Sequence, residues 1–327
     1  MSIAVAAPGG SRSRLIPRSW AGIRLTKPSP LRAAQLALGL IWLLDAGLQY
    51  QPYMFTKAFV TQAIEPSASG NPGIVAHSIN WAAQVMFHHI AVYNALFATI
   101  QLLLALGLLW RPTVRLALAA SIPWVLAVWW FGEGLGGILV SGSDSYMGTP
   151  GAVILYAFIA LLVWPRPAEE TDQQDRMALA TSGPLGRTLP RVAWLALWGS
   201  FAYEILQPAD RSPTSLGDMV TGMGSGEPGW IRSMDSTLGR ALAGHGTEVS
   251  IVSVLLFAFV AVAVFVPRLT RLGLVVAIVA ALAFWVAEDF GGIFTGDGTD
   301  PNSGLLLVLL AAVYWPLTAV GRRSSQT

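Results

Sequence analysis

The 327-residue chain is 54% hydrophobic and only 12% charged, with a mean hydropathy of +0.57 and a formal net charge of +2. Soluble domains carry about 25% charged residues, so this is the composition of a membrane protein. Cysteine is absent, which excludes disulfides, thiolate metal sites and CxxC redox chemistry.

Residues 1–32 hold Arg12, Arg14, Arg18, Arg24, Lys27 and Arg32 with no acid among them. No apolar core of signal-peptide length interrupts them, so they read as a basic cytoplasmic tail rather than a leader. Positive charge beside a first membrane helix has its explanation in topology, and no nucleic-acid partner is expected. A span needs about 20 apolar residues. Candidates run over 33–51, 89–110, 114–131, 150–165, 191–206, 249–267, 271–287 and 303–320. Two tight basic connections, WRPTVR and VPRLTR, and a polar linker at 166–190 fall between them. By the positive-inside rule these connections and both termini face the cytoplasm. That places 16 of the 20 Lys and Arg inside, leaving Lys57, Arg211, Arg232 and Arg240. The expected fold is all-α: a plasma-membrane (inner-membrane) protein of eight transmembrane helices, in contact with the lipid bilayer. Its parts are a tail (1–32), a four-helix unit (33–165), the linker (166–190), a second unit (191–320) and a short cytoplasmic tail (321–327).

The two units are related by offset. A shift of 156 pairs Trp42 with Trp198, Gln51–Pro52 with Gln207–Pro208, and His89 with His245. A shift of 155 pairs Trp130, Glu133, Gly136, Gly137 and Ile138 with Trp285, Glu288, Gly291, Gly292 and Ile293. An even number of spans per unit gives both copies one orientation, as in parallel-repeat transporters. Pro52 and Pro208 should end the first helix of each unit, because proline cannot extend it. Residues 74–87 mix apolar and polar positions and predict an interfacial helix, with Trp81 at headgroup level. Trp129, Trp130, Trp164, Trp198 and Trp315 read as interface anchors.

The repeated polar residues define the candidate site. His89 and Glu133 should arrive at similar depth on neighbouring helices, as should His245 and Glu288, predicting a His–Glu contact in each unit. Asp289 follows Glu288. Asp45 and Glu204 are acids inside the outer halves of the first and fifth spans, and intramembrane acids are functional hypotheses by default. The pairs Gly136–Gly137 and Gly291–Gly292 serve either a tight turn or a re-entrant segment lining a cavity. The loop 296–304 (GDGTDPNSG) lacks the closing glutamate of a calcium loop and reads as a solvated turn. Two histidines and two carboxylates suit a divalent metal, with His89 and His245 as its ligands, although no HxxH, HxxxH or ExxH spacing occurs. A haem edge, a quinone headgroup or a proton-coupled solute suits the same set.

The opening of the first span, LGLIWLLDAGLQ, and the four-span unit resemble DoxX-like membrane proteins, here duplicated. The stretch WWFGEGLGG is similar to one in uncharacterised actinobacterial multi-pass proteins. The DoxX resemblance implies quinone-linked redox or accessory roles, and missing cysteine counts against thiol handling. Three readings follow. The first is an extracytoplasmic-facing polar site between the repeats that binds or transports a small solute or ion. The second is a quinone-linked redox component, and the third a non-catalytic envelope assembly or scaffold protein. No nucleophilic triad, phosphate-cradling loop or ATP-binding domain is legible, so no enzymatic activity is assigned.

Overall fold

The computed structural model describes residues 28–143, 148–166, 178–206, 215–223 and 228–316, and these are helical with no strand among them. Residues 1–27 of the basic tail, Asp144, residues 167–177 of the linker, Gln207–Pro208 and Arg322–Arg323 lie outside the described residues. Eleven helices carry the architecture: α1 Pro30–Gln49, α2 Gly73–His88, α3 Ile90–Leu109, α4 Val114–Phe131, α5 Val153–Leu162, α6 Thr188–Glu204, α7 Ser215–Met223, α8 Gly229–Leu242, α9 Gly246–Ala263, α10 Thr270–Ala287 and α11 Asn302–Val313. Short helical turns fill Pro52–Ala68, so Pro52 starts a turn rather than continuing α1.

Among the described residues five helices are long and apolar enough to cross a membrane: α1, α3, α4 with its preceding turn, α9 and α10. They expose Leu96, Leu103, Leu116, Leu255, Leu272 and Val279, side chains suited to lipid rather than water. The remaining expected spans are shorter. Helix α6 has 17 residues, α5 has 10 and α11 has 12. At 1.5 Å per residue, α5 extends about 15 Å, half of a roughly 30 Å hydrocarbon core. The chain that would lengthen α5 and α11 is used instead in the turns and loops before them.

Helix α1 packs on α3, and α4 bridges α3 and α5. Helix α6 packs on α9, and α10 bridges α9 and α11. The two groups meet where α11 contacts α5 and α1. One core runs through both, from Leu38, Trp42 and Leu108 to Trp194, Leu274 and Leu310. A smaller core lies beneath α2, whose Val75, Ile79, Ala83 and Met86 recur at helical spacing, while Trp81 faces out. Polar ties fix the Arg32 end: that guanidinium donates to the carbonyls of Leu108 (2.9 Å) and Leu109 (2.6 Å), which the end of α3 leaves free. Gln35 donates to Val163 at the end of α5 (3.0 Å). Part of the linker also packs, since Arg166 donates to Ser182 and to the carbonyl of Leu179. Trp198 is not an interface anchor: it is fully buried among Trp194, Phe201 and Phe257.

Candidate functional site

The site begins where α4 and α10 end. Gly134, Leu135, Gly136 and Gly137 take φ between +56° and +74°, forming one turn of left-handed helix. Asp289, Phe290, Gly291 and Gly292 do the same, with φ between +51° and +71°. Left-handed turns cost about 1–2 kcal/mol per non-glycine residue, so glycines reduce the strain and tertiary contacts must hold the rest. Those contacts are visible. A Cβ on Gly136 would sit 1.8 Å from the Pro150 carbonyl oxygen, and one on Gly291 would sit 2.6 Å from the Pro301 carbonyl carbon. Each turn is thus clamped against the segment that starts the following short helix. Trp129 donates to Pro150 O (2.8 Å) and Trp285 to Pro301 O (3.0 Å). The bonding therefore matches Trp285 with Trp129 rather than Trp130, whose indole donates to Ser78 instead. The one-residue change of offset falls at the end of the helix.

This folding turns both glutamates inward. Glu133 Oε1 accepts the Val153 N–H (3.1 Å) at the start of α5, and its buried Oε2 has no hydrogen-bond partner. Glu288 is buried, with Ser303 Oγ of α11 3.4 Å from both carboxylate oxygens. Between them stands Asp300, which accepts from Asn302 N–H (2.7 Å) and Thr299 Oγ1 (3.1 Å). The loop 296–304 is therefore a wall of the site and not a solvated turn, because the left-handed turn draws it in. All three acids, with Asp297, line one open cleft of about 1030 Å³ between the two helix groups. No Lys, Arg or His is among its lining residues as described. Burial, reinforced by Asp300, pushes the Glu133 carboxyl up to about 8 from 4.5. The same two causes, in that order, raise Glu288 to about 8. Burial also raises Asp300, opposed by its two hydrogen bonds.

Beneath the cleft lies a more enclosed chamber of about 140 Å³, lined by Asp45, Gln49, Gln101, Trp124 and Tyr156. It shares Glu133, Thr299 and Asp300 with the cleft. Asp45 is almost fully buried and faces the Tyr156 hydroxyl, and Trp42 packs against that ring at a tilt of 42° with centroids 4.2 Å apart. Gln49 and Asn94 brace one side through reciprocal bonds of 2.5 and 2.9 Å.

The other expected residues fall elsewhere. His89 and His245 cap α3 and α9, with exposed side chains that line neither cavity. Among the described residues no ion pair joins His89 to Glu133 or His245 to Glu288: the glutamates face the short helices, while the histidines stand at outer helix junctions. No three His, Asp or Glu among the described residues could hold a metal ion, so these histidines form no such centre here. Glu204 ends α6 and Asp289 is buried in its left-handed turn, and neither lines the cleft or the chamber. Glu204 thus stands apart from the chamber that Asp45 lines. The residues that sequence reasoning passed over are Asp300, Tyr156, Gln49 and Gln101. One signal for Asp300 existed: Thr149–Pro150 and Asp300–Pro301 both precede the last apolar run of their half. No protein-family model, curated protein or solved structure matches the chain.

Proposed function

We propose that this integral membrane protein binds a small cationic solute, such as a protonated amine, in the cleft between two four-helix repeats, as a step in its transport or sensing. The observation that carries the reading is the lining: four carboxylates, Glu133, Glu288, Asp297 and Asp300, and no described base. The volume of about 1030 Å³ suits a hydrated or organic cation better than a bare ion. The repeat reading draws support from the paired left-handed turns and the paired Trp–Pro ties. Eight membrane segments then follow if α5, α6 and α11 complete their crossings through flanking loops, as broken helices do where they line a cavity. With the basic connections inside, the cleft opens away from the cytoplasm. Because protons and cations compete for the same carboxylates, binding strengthens as pH rises toward about 8.

The test is a thermal-stability assay of the purified protein against methylammonium, tetramethylammonium and acetate at matched ionic strength. A ligand at about 100 times its Kd stabilises by about 2.7 kcal/mol. Stabilisation by the ammonium ions and not acetate is expected, and its loss in the Glu133→Gln/Glu288→Gln variant. Equal or greater stabilisation by acetate sinks the cation reading.

A further inference from the structure

A third cavity opens beside the chamber. It is a gallery of about 400 Å³ between α2, α3, α4 and the turn at Phe59–Ile64. Aromatic and aliphatic side chains dominate its lining, among them Phe59, Trp81, Met86, Tyr93 and Phe97. Trp81, Leu96 and Phe131 at its edge are exposed, and Leu96 shares the lipid-suited surface of α3, so the gallery opens sideways toward hydrocarbon.

Its inner end is different. Gln49, Gln101 and Trp124 line both the gallery and the chamber. There Gln101, itself 7% exposed, has a buried Oε1 with no hydrogen-bond partner. Trp124 Nε1 is likewise buried and unpartnered. A buried acceptor and a buried donor left open together are rare in a folded interior. We propose that this junction holds the headgroup of a single-chain amphiphile that enters from the bilayer, with a neutral hydroxyl as that headgroup. A hydroxyl donates a hydrogen bond to Gln101 Oε1 and accepts one from Trp124 Nε1–H, satisfying both. A carboxylate headgroup meets Asp45, Glu133 and Asp300 across the chamber. An ammonium headgroup has no acceptor for the indole N–H. The apolar chain lies along Phe97 and Met86. This site is independent of the cation reading of the cleft.

The test uses hexadecanol carrying a mid-chain diazirine, photolysed with the whole protein in phosphatidylcholine vesicles and mapped by peptide mass spectrometry. Label is expected on α2 and α3 around Val85, Met86 and Leu96. Unlabelled hexadecanol should displace it; hexadecyl methyl ether, hexadecanesulfonate and hexadecyltrimethylammonium should compete roughly tenfold more weakly, each leaving a partner unsatisfied. Label at Leu255 and Leu272, exposed on α9 and α10, measures unspecific contact with bulk lipid. Gln101→Leu should cut the displaceable label about tenfold without changing label at Leu255, and Trp124→Phe serves as the second variant. Gallery label no greater than that at Leu255, or equal competition by all four amphiphiles in the wild type, overturns the proposal even if neither variant folds.

Discussion

The interiors of the two helix groups differ at corresponding positions. In the first, Asp45, Gln49 and Gln101 surround a hollow. Exactly 156 residues later in each case stand Phe201, Ile205 and Phe257. There Phe201, Phe257 and Phe284 close on one another, with ring centroids 5.4 to 6.2 Å apart. The cleft walls, by contrast, carry the same turn, the same glycine clamp and a glutamate on both sides. One group is a packed support while the other holds the polar chamber. The two helix groups thus share a cleft but not an interior.

The largest expected effect tests the packed side. Phe257→Ala should destabilise by about 3–5 kcal/mol, the cost of emptying an aromatic site in a close-packed core. Gln101→Leu should change stability by less than about 1 kcal/mol, because it removes an acceptor that has no partner. Unfolding in mixed micelles measures both, and equal losses would abolish the contrast between the two interiors. The cleft walls come next. Gly136→Ala should cost roughly 3 kcal/mol, since its Cβ collides with backbone and its φ of +59° disfavours a side chain. Gly291→Ala meets its nearest atom at 2.6 Å and should lose somewhat less. A melting temperature unchanged by either substitution would mean that the clamp is absent. The smallest effect is a slope. Between about pH 4.5 and 8 the folded state keeps protons on Glu133 and Glu288 that the unfolded chain has released. Stability should therefore fall as pH rises through that window and level off above it. Glu133→Gln and Glu288→Gln should each flatten the slope by a similar amount. A slope carried by one glutamate alone would make the two walls unequal.

Much of the cleft was legible along the chain. The duplicated Glu and Gly–Gly marked both turns, and the periodic apolar positions of 74–87 matched the buried face of α2. Depth along a helix was a poor guide to contact, however. His89 and Glu133 are at neighbouring helix ends, yet the four left-handed residues redirect the chain after Glu133 and turn its carboxylate to Val153. The matching turn at 289–292 packs against Pro301 and brings in Asp300, whose loop reads along the chain as a solvated turn.

Composition and hydropathy alone determined that this is a helical membrane protein, because long apolar runs have no other way to satisfy their backbone in lipid. They also marked which residues recur. Only the tertiary structure decided that four acids from the two helix groups meet in one cleft and that Gln101 and Trp124 stand unpartnered at a second one. Those are consequences of side-chain direction and backbone handedness, which a pattern of residue types along one dimension does not encode.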